Sequence, residues 1–150
     1  MEESAVSQSR DEHLLYRLPG YLLRRAAQAW MGRLAERLSA LDLRISDASA
    51  LLLIGERKDM TSSEIGKNLD IKRANMVPLL GRLEARGLIV RAPIDRKSQA
   101  VVLTRAGREY LNKVRVITSG LEQDLLAAIP DPHRDHFIPS MRALLEIDPE

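Results

Sequence analysis

Cysteine is absent from the 150 residues, which excludes disulfides, thiolate redox sensing and cysteine-ligated zinc. Aromatic residues are scarce, with one Trp, one Phe and three Tyr, so the apolar 45% of the chain is aliphatic and favours helix over a sandwich or barrel. There is no apolar run of about 20 residues and no basic-then-apolar leader, so the expected location is the cytoplasm, with no membrane partner. A glycine-rich phosphate loop, a nucleophile elbow and an ordered set of carboxylates beside a histidine are all missing, so the sequence reads as a non-enzyme without a cofactor. The length suits one domain rather than two independent ones.

What is present is a lopsided charge. Residues 72–108 carry nine Lys/Arg against two acids, hence +7, while the whole chain carries only +2. A segment of that kind suits a polyanionic partner, with a solvated charged face as the alternative. Double-stranded DNA is the expected partner, because the stretch Thr61–Thr104 reads as helix, turn, helix, strand, charged tip, strand.

In chain order, residues 1–10 are polar and aperiodic and read as a loose arm. Leu15, Leu18, Leu22, Ala26, Trp30, Leu34, Leu38 and Leu41 recur at helical spacing, with the main helix starting near Pro19 after a short lead from Asp11 to Arg17. Ile45-Ser46-Asp47 predicts a cap before a buried helix over Ala48–Arg57. Thr61 and Glu64 have the form of a capping box that starts a helix at Ser62. After a turn at Asp70-Ile71, a second helix is expected to bury Ala74, Val77, Leu80 and Leu83 and to stop at Gly87. Two short β segments, 88–91 and 100–103, flank the tip. Thr104 caps a long helix ending before Pro130, and a last helix starts at Asp131-Pro132 and bends at Pro139. The fold class is mostly α with a small β-wing. A winged helix-turn-helix lobe (46–104) sits on dimerisation helices (11–45 and 105–147) within one domain, and the apolar faces of those helices predict a homodimer.

The run from Leu83 to Arg91 (LEARGLIVR), then Asp95-Arg96-Lys97-Ser98, then Val102-Leu103-Thr104-Arg105-Ala106-Gly107, resembles the multiple-antibiotic-resistance regulator (MarR) family of bacterial winged-helix transcription factors. Element order agrees over about residues 14–147. The resemblance implies a dimer whose second motif helix enters the major groove, with Lys72, Arg73, Asn75 and Met76 at base edges and phosphates. It places Arg96 in the minor groove, with Asp95 orienting it, Lys97 on the backbone, and Ser62 and Ser63 donating to phosphate. Arg suits a narrow, electronegative minor groove, and Asn75 has the geometry to pair with adenine, its alternative being an exposed or locally capping residue. For Arg82, Arg86 and Arg91, salt bridges or a hydrated flank weigh as much as direct contact. Pro78 lies inside the second motif helix, where it removes the hydrogen bond to Ala74 and should kink the backbone, and so bears on how far Lys72–Met76 reach.

Many relatives are released from DNA by small aromatic anions, and Tyr16, Tyr21, Arg24, Arg25 and Trp30 offer rings and guanidinium groups for one. Leu22-Leu23-Arg24-Arg25 is similar to the subgroup that controls hydroxycinnamate breakdown, which implies an aromatic acid or its coenzyme A thioester as effector. The competing reading makes Trp30 core packing, and Arg24 and Arg25 intersubunit ion pairs. His13, His133 and His136 are read as surface residues rather than metal ligands. A winged-helix dimer that binds only proteins is the alternative function.

Overall fold

The computed structural model describes residues 14–146. The proposed arm, residues 11–13 of the helical lead and His13 lie outside them. A 3₁₀ turn at Leu14–Arg17 leads into α1 (Pro19–Ser39), followed by α2 (Ile45–Glu56), α3 (Ser62–Asn68) and α4 (Arg73–Ala85). The wing strands β1 (Ile89–Pro93) and β2 (Gln99–Leu103) come next, then α5 (Arg105–Ala128) and α6 (Asp131–Leu145). None of these helices is long and apolar enough to cross a membrane.

Each helix end has a local cause. Pro19 occupies the first turn of α1, where its missing N–H costs nothing. The Glu64 N–H donates to Thr61 Oγ1 at 3.3 Å, and the Thr61 N–H donates back to Glu64 Oε2 at 2.8 Å. This box starts α3, and the Glu64 carboxyl is held below its usual range by the Thr61 backbone N–H and then by the Thr61 hydroxyl. Asp70, with φ of 51°, turns the chain between the motif helices while the Ile71 N–H reaches back to the Gly66 carbonyl at 2.8 Å. Gly87 ends α4 in the same left-handed conformation, with the Leu88 N–H on the Leu83 carbonyl at 3.0 Å.

The core fills the space between the motif helices, the wing base and the first half of α5. Leu38, Leu51, Ile65, Leu80, Leu83 and Val114 are fully inaccessible within one apolar cluster. Each such side chain contributes about 1.5–3 kcal/mol relative to exposure. The cluster includes Leu38 of α1 and Val114 of α5, so the reading lobe and the helical frame share a core. The wing is a two-stranded antiparallel ribbon in register from Ile89↔Leu103 to Pro93↔Gln99. Its outer edge is covered where the Val101 N–H donates to the Met60 carbonyl at 2.8 Å and Thr61 bridges Ala100.

Several expectations need correction. Helix α2 starts at Ile45, three residues before Ala48, because Asp47 sits inside it and accepts the Arg44 N–H at 3.0 Å. The buried stripe of α4 is Met76, Leu79, Leu80 and Leu83, whereas Ala74 and Val77 are exposed. A strict spacing of three drifts off a 3.6-residue turn, so the predicted stripe rotated away from the core at its N-terminal end. Both internal prolines do lie where expected, Pro78 inside α4 and Pro139 inside α6, each within one continuous helix. Of the long apolar stripe on α1, only Leu38 is buried; Leu15, Leu18 and Leu22 are exposed in the single chain.

Candidate nucleic-acid interface

Between α4 and the wing lies an open groove whose lining includes Ser62, Ser63, Arg73, Val77, Arg96 and Lys97. Three sequence features build it. The Thr61 cap starts α3 at Ser62 so that Ser62 and Ser63 line the groove, the left-handed Asp70 turns the chain into α4, and the two-stranded ribbon carries the exposed tip.

The tip is ordered by one side chain. Asp95 Oδ1 accepts the backbone N–H groups of Lys97 at 2.7 Å and Ser98 at 2.8 Å. These amides, Lys97 first, hold the Asp95 carboxyl below its usual range. Among the described residues Asp95 forms no ion pair with Arg96; its bonds order the turn backbone that carries Arg96. An Asp that accepts amides two and three residues on needs no side-chain partner to fix the loop.

Ion pairing sorts the basic segment into two groups. Arg82 meets Asp47 at 2.7 Å and Arg91 meets Glu84 at 2.6 Å, while Arg105 lies 3.5 Å from Glu109. Arg86 donates to the Leu41 carbonyl at 2.9 Å and to that of Asp42, and it lies over the Tyr110 ring. Arg108 donates to the Leu103 carbonyl at 3.2 Å. Lys72, Arg73, Arg96 and Lys97 join no ion pair among the described residues, and all four are exposed on the α4 and wing-tip side. Among the described residues, the cations of this segment with neither a carboxylate nor a carbonyl partner are therefore those at the groove and at the start of α4, where a polyanion would find them.

Of the predicted contact residues, Ser62, Ser63, Arg73, Asp95, Arg96 and Lys97 come together in this groove. Lys72 and Asn75 are exposed in the first turn of α4 just outside it. Met76 also lines the groove, but from its floor. It is 2% exposed and packs its side chain beside Gly66, so it offers far less surface there than its neighbours. Its neighbour Val77 faces the groove at 69% exposure. Sequence reasoning missed Val77 because a β-branched apolar residue in a helix looks like core, and only the helical phase separates the two.

The predicted effector residues divide into two sets. Tyr16 and Tyr21 meet edge to face with centroids 5.7 Å apart, and the Arg24 guanidinium lies 5.2 Å from the Tyr21 centroid. Trp30, further along α1, is half-buried beneath Arg33 at 4.4 Å. Arg25 is exposed. His133 and His136 are exposed on α6, and no group of three or more potential metal ligands occurs among the described residues.

Comparison with known proteins gives the same architecture. The chain is 30% identical to the transcriptional repressor CouR bound to a 23-mer DNA duplex, covering 88% of this chain and 94% of that one with a TM-score of 0.76. CouR from Rhodococcus jostii RHA1 bound to p-coumaroyl-CoA matches at 25% identity, over 90% of this chain and 94% of that one, with a TM-score of 0.78. A putative transcriptional regulatory protein for the hcr operon in Thauera aromatica is 28% identical over 102 residues, which is 67% of this chain. The chain spans 61% of that relative's length. Residues 41–98 match the MarR family pattern, and with the near full-length likeness to CouR this establishes that the chain belongs to the MarR family.

Proposed function

We propose that the protein is a homodimeric, ligand-responsive transcriptional repressor that binds a pseudo-palindromic operator. One observation carries this reading: the uncompensated cations Arg73, Arg96 and Lys97 converge with Ser62 and Ser63 on one groove between α4 and the wing. In this reading α4 enters the major groove, with Arg73 and Lys72 on phosphates or guanine edges and Asn75 on adenine. Val77 contributes an apolar surface suited to a thymine methyl. Arg96, held out by the Asp95 turn, enters the minor groove, and Lys97 and the α3 start contact the backbone.

The exposed apolar faces of α1 and α6 supply the dimer contact, which sets two reading heads about one helical turn of DNA apart. The effector is an aromatic carboxylate or its coenzyme A thioester, a reading supported by the ligand of CouR and by the Tyr16, Tyr21 and Arg24 cluster. Release follows if the ligand prefers a head spacing that fits the operator poorly.

Fluorescence anisotropy on the upstream intergenic duplex and on a scrambled duplex, with and without aromatic acids and their thioesters, tests the assignment. Arg96→Ala should lower specific affinity by about 1–3 kcal/mol with the circular dichroism spectrum unchanged. Unchanged affinity in that variant removes the wing from the interface, and absence of specific binding by the wild type leaves a protein-interaction module instead.

A further inference from the structure

A second basic surface lies outside the groove, where the end of α2, the return strand β2 and the first turns of α5 meet. Arg57, Lys58, Arg108 and Arg115 line one open cleft of about 510 Å³ whose floor includes Gly55 and Leu111. Asp59 is the one acid in its lining, so the cleft is +3 by residue count. Two of the cations are braced by neutral partners: Arg57 donates to Asn68 Oδ1 at 3.2 Å and Arg108 to the Leu103 carbonyl at 3.2 Å. Lys58 and Arg115 join no ion pair among the described residues. Separate elements thus deliver four like charges to one place with a single carboxylate among them, an arrangement that costs self-repulsion unless an anion is met there.

The cleft and the DNA groove have separate linings, joined along the chain by residues 60 and 61. The Val101 N–H on the Met60 carbonyl and the Thr61–Ala100 bridge hold residues 60 and 61 along the outer edge of β2. Lys58 therefore lies on the same short strip as Ser62, four residues on, at a separation of at most about 14 Å. On duplex DNA, which carries one charge per about 1.7 Å of axis, such a distance spans only a few phosphates.

We infer that this cleft is a second phosphate-binding surface, which engages the sugar-phosphate backbone of DNA flanking the half-site and extends the footprint beyond the bases that α4 and the wing read. The inference rests on the DNA-binding function proposed above. Its chemistry is point-charge and guanidinium contact with phosphate, so it adds affinity without sequence preference.

The test compares two duplexes, one ending at the outer edges of the half-sites and one extended on both sides by about one turn, roughly 10 base pairs. Wild type, Lys58→Gln/Arg115→Gln and Lys58→Glu/Arg115→Glu are titrated on each over a range of salt. The Gln pair removes charge without breaking an ion pair among the described residues, and the Glu pair amplifies the effect. On the extended duplex the Gln variant should bind more weakly, with a log–log salt slope smaller by about 0.9 for each phosphate that is no longer neutralised. On the short duplex it should match the wild type. Equal slopes for wild type and variant on the extended duplex overturn the inference while leaving the repressor assignment intact. A weakening of equal size on both duplexes also overturns it, since it would come from general charge rather than from the flank. Failure of the wild type to bind either duplex specifically removes both. Binding of p-coumarate or inorganic pyrophosphate that disappears in the Gln pair, with no duplex-length effect, makes the cleft a small-anion site instead and overturns the inference.

Discussion

The reading lobe and the helical arms obey different packing rules. Within α3 and α4 the inward-facing apolar residues are buried, and Ile65, Leu80 and Leu83 are wholly shielded from water. Helix α1 buries one residue in 21 and α6 buries none in 15. Leu14, Leu18, Leu22, Leu23, Met31, Leu144 and Leu145 stay exposed. The first region is complete as a single chain. The second is half of something, and a second copy of the same surfaces is what its apolar faces require.

The largest effect should come from the finished half. Leu80→Ala leaves a cavity under α4 and should cost about 2–5 kcal/mol, read as a fall in the urea midpoint. A cost below that range would mean that the lobe core is looser than its burial implies. In the unfinished half, Leu22→Glu with Leu23→Glu should dissociate the dimer, seen by sedimentation, while shifting the stability of the isolated subunit by only about 0.5 kcal/mol. A dimer that survives both changes would place the subunit contact on another face.

The smallest effect sharpens the comparison at the motif start. The Glu64 carboxyl lies below its usual value in the folded chain because of the Thr61 amide and hydroxyl. A depressed carboxyl pKa stabilises the fold above the unfolded pKa, and that stability is lost as pH falls through the folded pKa. Glu64→Gln should flatten the acid limb of the stability profile below about pH 4.5 and leave the dimer untouched. An unaltered acid limb would show that the box contributes nothing through its charge.

Much of the reading lobe was legible in the residues, wherever the signal was local. The Thr61 box, the Pro19 start, the Gly87 stop and the order of elements through the wing all follow from a few adjacent side chains. A salt bridge was among the readings for Arg82, but its partner was not legible, because Asp47 lies 35 positions away; its buried Nε finds no partner among the described residues. Arg86 is similar, since its acceptors are the carbonyls of the loop after α1. The sequence left these guanidiniums open between ion pairs, a hydrated flank and DNA contact; the fold uses them to fasten α4 to α2 and to the loop. The burial of Met76 and the exposure of Val77 in the groove have the same origin, a rotation of one residue that apolar spacing alone cannot resolve.

Thr104 gives the reading head a stiff mount. Its hydroxyl donates to the Gly87 carbonyl at 2.6 Å and accepts the Gly107 N–H at 3.0 Å. Any Cβ on residue 107 would strike the Leu88 carbonyl, which already accepts the Thr104 N–H at 3.0 Å. The end of α4, the root of the wing and the start of α5 are thus clamped at a single joint without slack. A 24-residue helix is about 36 Å long, so a tilt of about five degrees carries one end roughly 3 Å sideways. Two heads swinging in opposite senses would change their separation by about 6 Å, nearly two base-pair steps of about 3.4 Å. The long helix is therefore a lever, and a very small angular signal at the dimer end suffices to put both heads out of step with the DNA.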